Sequence, residues 1–221
     1  MNMYPMRAKR LILLAALSIV AGAWLHPAQV NAASYKEGEI KAALIYNFLK
    51  FVDWPEGTFK EDNKEKKEAI RVGVVGKEAF ASAEKIFKNK KIQERALKII
   101  LVTVKQLKDE KKLKGFHVLF VSAAAKGEAK KVPPRLKKSA VLTIGELEGF
   151  LEAGGIFNFV VEKKKVRFEV NLAAAEEVKI KIRSKLLRLA KRVIKPKPKN
   201  EQDARRHSNR RVARADRREV L

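Results

Sequence analysis

The chain contains no cysteine, and this absence removes several kinds of chemistry at once. Without thiols the protein can form no disulfide and cannot respond to oxidants through a sulfenic acid, so its stability has to come from its core. Histidine is scarce as well: His26 and His207 lie near the two ends of the chain, and His117 stands alone at the start of an apolar run. A single histidine without cysteine cannot supply the usual ligands of zinc. We therefore predict no metal site.

Sequence signatures of nucleotide and hydrolase chemistry are also missing. The chain has no G-x-x-x-x-G-K-S/T phosphate loop and no G-x-S-x-G nucleophile turn. Glutamates that could act as a general acid and base occur, but nothing in the sequence brings two of them together. The sequence thus predicts neither catalytic residues nor a cofactor.

The first 32 residues have the three-part layout of a signal peptide. A short basic segment precedes the uncharged run 11–25, and Val30 and Ala32 supply the small residues that a cleavage site needs. A retained membrane anchor is the alternative, but this run falls short of the roughly 20 apolar residues that span a bilayer. We predict cleavage before Ala33 and export of the mature protein to the periplasm.

The charge of the chain is strongly unbalanced, with 50 Lys and Arg against 25 Asp and Glu and a formal net charge of +25. Such an excess favours polyanions: nucleic acid, anionic lipid head groups or lipopolysaccharide. Because an exported protein does not meet nucleic acid, we expect no physiological nucleic-acid partner. Lysines also fill segments such as 64–67 and 111–114, which is the usual pattern of a solvated basic surface.

The composition changes from residue 195 onward. Pro196 and Pro198 prevent a helix from continuing, and residues 200–221 hold almost no apolar side chains. A segment of this kind cannot offset the entropy that it loses on ordering. We therefore predict a basic disordered tail over residues 195–221.

Residues 33–194 carry the signals of one folded domain. Apolar residues at three- and four-residue steps predict an amphipathic helix over 35–52, stopped by Trp54-Pro55, with Asn47 beside the apolar stripe and hydrogen-bonded inside the fold. Downstream, strand and helix signals alternate, as in parallel βαβ units with right-handed crossovers. We predict a three-layer α/β/α sandwich with a mainly parallel sheet. The predicted strands are 70–75, 97–104, 117–122 and 140–144, and the helices between them are 78–88 and 106–112.

A hairpin is predicted near one edge of this sheet. Gly154-Gly155 marks a turn, and the β-rich runs Ile156–Val161 and Val166–Leu172 follow, joined by four charged residues. Runs of that length with a short link predict two antiparallel strands. Asn158 and Asn171 are polar positions within or at the end of these strands, and they are secondary candidates for binding a partner or an anion. A structural role is the alternative, since a buried amide has to be hydrogen-bonded.

A final helix is predicted to begin at Ser184, whose side chain can cap it, and to run to Val193. Lys185, Arg188 and Arg192 recur on its outer side. A helix N-terminus with cations nearby is a candidate site for an anion or an acidic partner surface, with an exposed basic face as the alternative. The apolar stripe that would hold this helix to the core consists of Leu186, Leu187, Leu189, Ala190 and Val193.

The predicted sheet also indicates where a small ligand would lie. Open α/β sheets bind ligands at the carboxyl ends of their strands. In this chain those ends fall near Gly76, Thr103 and Ser122. No motif at these positions names a ligand.

Three segments of the domain together form a signature. They are KAALIYNFLKFVDWP at 41–55, GFHVLFVS at 115–122, and EAGGIFNFVVE…VRFEVNLAAAE…IRSKLLRLAK within 152–191. This set resembles the signature of the YfiR family of small bacterial periplasmic regulators, and the resemblance runs from Tyr35 to Val193 with the family's motif order. The chain departs from the pattern at Lys163-Lys164, where Asn-Gly is usual.

The resemblance implies a function that the residues alone do not. Members of the YfiR family act as periplasmic repressors on the extracytoplasmic part of a membrane diguanylate cyclase, which restrains cyclic-di-GMP synthesis and biofilm formation. The resemblance also implies a homodimer and an outer-membrane lipoprotein that can sequester the repressor. On this basis we expect a non-catalytic periplasmic regulatory protein.

Two other functions stay open at this point. The chain could be a periplasmic ligand- or anion-sensing accessory protein of a membrane histidine kinase or another receptor. It could also be an enzyme that uses its basic surface to capture an anionic envelope substrate. A neighbouring gene for a membrane cyclase or for a kinase would discriminate between the two binding functions, and turnover of a phosphate or sugar substrate would indicate the enzyme.

Overall fold

A computed structural model describes residues 37–59 and 67–197 of the chain. The predicted signal peptide with its cleavage site, and the predicted tail beyond residue 197, lie outside the described residues. The helices are α1 (Glu37–Leu49), α2 (Lys77–Phe87), α3 (Glu110–Leu113), α4 (Val132–Arg135), α5 (Leu172–Glu177) and α6 (Ser184–Leu187), with 3₁₀ helices at Val104–Lys108 and Ala123–Lys131. The strands are β1 (Val52–Asp53), β2 (Ile70–Val75), β3 (Lys91–Ile92), β4 (Arg95–Val102), β5 (Val118–Val121), β6 (Leu142–Gly145), β7 (Phe157–Glu162), β8 (Lys165–Asn171), β9 (Lys181–Ile182) and β10 (Arg192–Ile194).

Eight of these strands form one sheet in the order β10-β8-β7-β6-β5-β2-β4-β3. The strands from β7 to β4 in this order run parallel to one another, as the alternation of strand and helix signals predicts. Strand β8 returns antiparallel to β7, β10 lies parallel to β8, and β3 is antiparallel to β4. The predicted α/β fold, with a mainly parallel sheet and an antiparallel hairpin near one edge, is confirmed.

Separate apolar clusters cover the two faces of the sheet. Along β5, Val118 belongs to one cluster and the next residue, Leu119, to the other, because successive side chains of a strand point to opposite faces. The first cluster lies under α1 and α2, where the rings of Phe48 and Phe157 stack with centroids 4.6 Å apart. The second contains Phe150 and lies under the 3₁₀ helices, α3 and α4. Helices therefore form layers on both sides of the sheet.

Helix α1 is shorter than predicted and buries a different face. It ends at Leu49, and Val52 pairs with Ile182 in the small sheet formed by β1 and β9. Asn47 is exposed and its side-chain oxygen accepts a hydrogen bond from Lys50 at 3.3 Å, so the internal hydrogen bond predicted for it is wrong. The segment is apolar on several sides, and periodicity alone could not decide which side faces the sheet. The buried residues are Ala42, Ile45, Phe48 and Leu49.

The helix predicted over 184–193 is wrong beyond its first turn. Helix α6 ends at Leu187, and β10 follows after a short loop. The backbone N–H of Lys191 donates a hydrogen bond of 2.8 Å to the carbonyl of Phe168, which brings the chain alongside β8. Val193 and Ile194 are β-branched and favour a strand. Pairing with β8 gives the backbone of this segment its hydrogen bonds. Leu189, predicted to face the core, is 68% exposed.

The turn between β7 and β8 consists of two lysines. Lys163 and Lys164 have φ angles of 48° and 62°, both in the left-handed region. A two-residue hairpin of type I′ requires positive φ at both positions, which is why Asn-Gly is the common choice. The tight hairpin therefore forms in spite of the lysines, which accept a backbone conformation that side chains with a Cβ atom disfavour.

Candidate functional site

Two adjoining clefts lie at the carboxyl ends of the parallel strands, beside the point where the strand order reverses between β2 and β5. The larger cleft has a volume of about 1010 Å³ and the smaller one about 580 Å³. Gly76 and Ser122, both predicted to mark the ligand-binding edge, line the larger cleft, whereas Thr103 lines neither. The residues common to both clefts are Glu37, Lys41, Ala123 and Glu146.

Lys41 and Glu146 occupy the boundary between the clefts. The Nζ atom of Lys41 lies 2.5 Å from one carboxylate oxygen of Glu146 and 2.5 Å from an oxygen of Glu37. The other oxygen of Glu146 accepts a hydrogen bond from the backbone N–H of Ala123, just after β5. Burial alone would lower the pKa of Lys41, but its hydrogen bonds and attraction to the two glutamates outweigh that effect and raise the pKa above its ordinary value. Lys41 therefore stays charged and ties α1 to the end of the sheet.

A polar row crosses the sheet beside the smaller cleft. Strand register places Arg192, Glu169, Asn158 and Gly145 next to one another on β10, β8, β7 and β6. The guanidinium of Arg192 donates two hydrogen bonds to Glu169, at 2.9 and 3.1 Å, and a third to Glu152 at 2.9 Å. The hydrogen bonds to Glu169 and then to Glu152 hold the pKa of Arg192 above its ordinary value. Arg192 is thus a paired structural cation.

The two asparagines predicted as secondary candidates have different environments, although both are buried. The side-chain oxygen of Asn171 accepts a hydrogen bond from the N–H of Ala174 at 3.0 Å, and its amide nitrogen donates to the carbonyl of Leu151 at 2.9 Å. Asn171 therefore caps α5 and has a structural role. Asn158 is only 3% exposed, and its Oδ1 atom has no hydrogen-bond partner among the residues that the structure describes. Asn158 lines the smaller cleft.

The structure separates the cations that were predicted to share one helix. Ser184 is the first residue of α6 rather than its cap, and one helical turn does not offer the predicted N-terminal anion site. Lys185 and Arg188 are exposed on that turn. Arg192 lies on β10, bound to its two carboxylates, and shares the polar row with Asn158. Binding of a partner by the exposed residues stays a prediction.

Sequence reasoning missed the residues at the centre of the clefts. Glu146 directly follows β6, so the rule that selected Gly76 and Ser122 would also have selected it had the strand been extended by one residue. Lys41 gave no comparable signal, because a lysine in an amphipathic helix is ordinarily solvated. Only the fold brings it to Glu146, 105 residues away.

Residues 37–59 and 67–197 contain neither a metal-binding cluster nor a membrane-spanning helix. No group of three or more His, Asp or Glu side chains in these ranges converges so that it could hold a metal ion. In the same part of the chain, no helix combines the length and the apolar character needed to cross a membrane.

Comparison with known sequences identifies a family. A profile of the family described as YfiR/HmsC-like matches residues 38–191, which is more than half of the chain. No curated protein matches the chain significantly.

Comparison with solved structures supports the fold. A conserved domain protein from Vibrio cholerae superposes with a TM-score of 0.50 at 14% identity, over 71% of this chain and 60% of that one. The ABC domain from Streptococcus pneumoniae, solved in complex with L-Trp, gives a TM-score of 0.42 at 14% identity, over 56% of this chain and 55% of that one. The chain thus spans less than two thirds of either structure, and at such low identity only the fold of the first is informative.

Proposed function

The chain belongs to the YfiR/HmsC-like family, and on that basis we propose that it is an exported, non-catalytic regulator in the periplasm. In this proposal it binds the periplasmic region of a membrane diguanylate cyclase and restrains the synthesis of cyclic-di-GMP. The observation that carries the proposal is the extent of the family match, since residues 38–191 run from the first turn of α1 to the residue before β10. A homodimer and sequestration by an outer-membrane lipoprotein are further parts of the same proposal.

One exposed surface places an arginine beside an exposed apolar side chain. We name it the α6 surface: it comprises Ser184, Lys185, Arg188 and Leu189, all exposed. Leu189 is the most exposed large hydrophobic residue of the described chain, at 68%, and it follows Arg188 directly. Protein interfaces combine apolar anchors with arginine and hold few other charges at their centre. The α6 surface therefore suits a partner patch that offers an apolar pocket beside carboxylates.

The α6 surface is held in place by contacts with the core and with β8. Leu186 is only 3% exposed and packs into the cluster under α1, while the loop after α6 joins β8 through Lys191. Such support keeps the ordering cost of binding low. Repression further needs a difference in affinity between two states of the cyclase. If the chain bound the inactive state of the cyclase 100-fold more tightly than the active state, it would stabilise the inactive state relative to the active state by about 2.7 kcal/mol.

Deleting the gene tests the proposal directly. Cyclic-di-GMP is measured in cells that express the membrane diguanylate cyclase under test, with and without the chain, and after the full chain is restored. The concentration should rise on deletion and fall on restoration, and deletion should have no effect in a strain that lacks the cyclase. An unchanged concentration in every condition where the cyclase is expressed would show that the cyclase proposal is wrong.

The clefts favour a second candidate, a ligand-sensing accessory protein of a membrane histidine kinase. The observation in its support is Asn158, a buried residue that lines the smaller cleft and whose side-chain oxygen has no hydrogen-bond partner in residues 37–59 and 67–197. A kinase gene beside this one, and a change in kinase phosphorylation on deletion, would favour the sensor. If the chain is such a sensor, deleting its gene should leave the cellular concentration of cyclic-di-GMP unchanged.

A further inference from the structure

The outer side of β4 is an open edge of the large sheet. Strand β4 pairs with β2 along residues 97–102, whereas β3, the last strand in the order, pairs only with Arg95 and Ala96. Within residues 37–59 and 67–197, no strand lies along the other side of residues 97–102, and no loop or side chain is hydrogen-bonded to their backbone. An edge of this kind presents a row of N–H and C=O groups to which another strand can pair.

The side chains along this edge are apolar and only partly covered. Leu101 is 38% exposed, whereas the valines of the neighbouring strand β2 are fully buried. The half-buried residues of the same stretch are Leu97, Ile99 and Ile100. Natural sheet edges are protected by a proline, a bulge, a covering loop or a charged side chain. Residues 97–102 contain no proline and keep an unbroken register with β2, so Lys98 is the only such protection within the stretch.

The two faces of β4 differ in charge. Leu97 and Ile99 pack against the cluster under α1 and α2, and because side chains alternate along a strand, Lys98 points to the other face. Lys91 of β3 lies opposite Ala96, two residues before Lys98, and is therefore on the same face as Lys98. Both lysines are exposed, and neither forms an ion pair within the described parts of the chain. The edge thus has one apolar face and one face with two cations.

The occupant that fits this edge is an extended segment of a partner protein. We propose that the outer side of residues 97–102 binds, by strand addition, a segment in which acidic and apolar residues alternate. The backbone of that segment pairs with the N–H and C=O groups of β4. Its apolar side chains lie beside Ile99 and Leu101, and its acidic side chains lie on the opposite face beside Lys98 and Lys91. This edge shares no residue with the α6 surface, so the inference holds whichever membrane protein the chain regulates.

Charge favours this occupant over the two that the chain itself could supply. If two copies paired edge to edge in antiparallel fashion, with residues 97–101 fully overlapping, the two Lys98 side chains would lie diagonally across the joint on the same face. Like charges placed in this way destabilise a strand pair. The segment beyond residue 197 has a net positive charge, so it does not complement the lysines either. An acidic segment from another protein does.

Three peptides of equal length, each acetylated and amidated at its ends, separate strand pairing from charge. The acidic peptide TEVEVEVT has the proposed alternation, TKVKVKVT reverses its charge, and TEVEPEVT keeps the charge but replaces the central valine with a proline that cannot donate to a strand. The protein, purified from cells that express the full chain, is titrated with each peptide and followed by amide NMR spectra. We expect TEVEVEVT to bind at least about tenfold more tightly than either of the others, with shifts and slowed hydrogen exchange centred on residues 97–102.

A charge reversal at the edge then assigns the preference to one residue. Lys98→Glu changes an exposed side chain, and it should weaken binding of TEVEVEVT by about tenfold and strengthen binding of TKVKVKVT. Arg167→Glu is the matched control, because it makes the same change in net charge at an exposed position of β8, with four strands between β8 and β4 in the sheet. The control should bind all three peptides like the unaltered protein.

Four outcomes would overturn the inference. The first is the absence of spectral changes at residues 97–102 with TEVEVEVT at low millimolar concentration. The second is equal binding of TEVEPEVT, which would show attraction between charges without strand pairing. The third is an equal loss of binding in Lys98→Glu and Arg167→Glu, which would assign the effect to net charge. The fourth is a set of shifts at residues 97–102 that depends on protein concentration without any peptide, which would assign the edge to a second copy of the chain.

Discussion

The aromatic ring of Phe150 lies directly against Gly155. A Cβ atom at position 155 would sit 2.2 Å from two ring carbons, Cδ1 and Cε1, which is closer than real Cβ contacts. Phe150 is fully buried, and Gly145 approaches the same ring from β6, where an added Cβ would be 2.4 Å from Cγ. Two glycines thus enclose one phenylalanine of the cluster under the 3₁₀ helices.

Gly155→Ala should therefore destabilise the fold strongly. The ring cannot move away without displacing other buried side chains, and overpacking of this kind costs about 1–3 kcal/mol or more in the free energy of unfolding. Urea unfolding followed by circular dichroism measures the change. Gly127→Ala is the matched control, because nothing lies within 4 Å of its added Cβ, and it should change stability by less than about 0.5 kcal/mol. Equal effects of the two substitutions would contradict the packing explanation.

The glycine pair shows what could be predicted from the sequence and what could not. Gly154-Gly155 predicts a turn, and Gly154 has a φ angle of 98°, in the region that favours glycine. The need for a glycine at 155 arises from Phe150, a contact that depends on how the loop after β6 folds back. The strands of the parallel sheet and the hairpin could be predicted for the reason that applies to Gly154: each depends on a short run of neighbouring residues.

The candidate site could not be predicted from the sequence, because it is formed by contacts between residues that are far apart along the chain. Lys41 meets Glu146 across 105 residues, and Asn158 meets Glu169 only through the register of the hairpin. The error at β10 has the same origin. Leu186 and Leu189 have helical spacing, but Arg192 pairs with Glu169 on the neighbouring strand, and this tertiary contact overrides the local preference.

The two buried asparagines should respond in opposite ways to the same substitution. Asn158→Leu replaces a buried acceptor that has no partner among the described residues with an apolar side chain of similar size, and should raise the free energy of unfolding by about 1 kcal/mol. Asn171→Leu removes two hydrogen bonds, leaves the N–H of Ala174 unpaired and the carbonyl of Leu151 with only the N–H of Gly154 as a donor, and should lower it by about 1–2 kcal/mol. Urea unfolding of both variants measures the difference. Destabilisation by Asn158→Leu equal to that of Asn171→Leu would mean that Asn158 is already satisfied.

Stability should fall with pH below neutrality because of His117. Its side chain is buried, its Nδ1 accepts a hydrogen bond from the backbone N–H of Arg71 at 3.0 Å, and its ring lies 4.6 Å from that of Phe59. Burial, followed by repulsion from the Arg71 guanidinium, lowers the pKa of His117 to about 4. The unfolded chain, with a histidine pKa of about 6.5, then binds the proton more tightly than the folded chain. The contribution of His117 is therefore complete above pH 6.5 and is lost as the pH falls towards 4.

The size of this effect is on the order of 3 kcal/mol, because each unit of pKa difference corresponds to about 1.4 kcal/mol. Unfolding free energies are measured between pH 7.5 and pH 4 for the unaltered protein and for His117→Asn. Asparagine keeps an acceptor near the position of Nδ1 but does not titrate. The variant should be less stable at pH 7.5, because its contact with Phe59 is lost, and its stability should depend less on pH. Parallel pH profiles would show that another group causes the loss.

The proposed partner contact is tested at Arg188, because this side chain is exposed and lies beside Leu189 on the α6 surface. Arg192 is unsuited to the test, since its reversal would release Glu152 and Glu169 from their shared cation. An exposed substitution such as Arg188→Glu should change stability by less than about 0.5 kcal/mol. Contact with an acidic patch would instead become repulsive.

Arg188→Glu should consequently raise cellular cyclic-di-GMP towards the concentration found when the gene is deleted, while the amount of periplasmic protein stays the same. Lys111→Glu is the matched control, because it makes the same change in net charge on α3, at an exposed residue outside the α6 surface. It should leave cyclic-di-GMP as it is. A rise of equal size in both variants would mean that the partner responds to net charge. An effect of gene deletion without any effect of Arg188→Glu would place the contact on another surface.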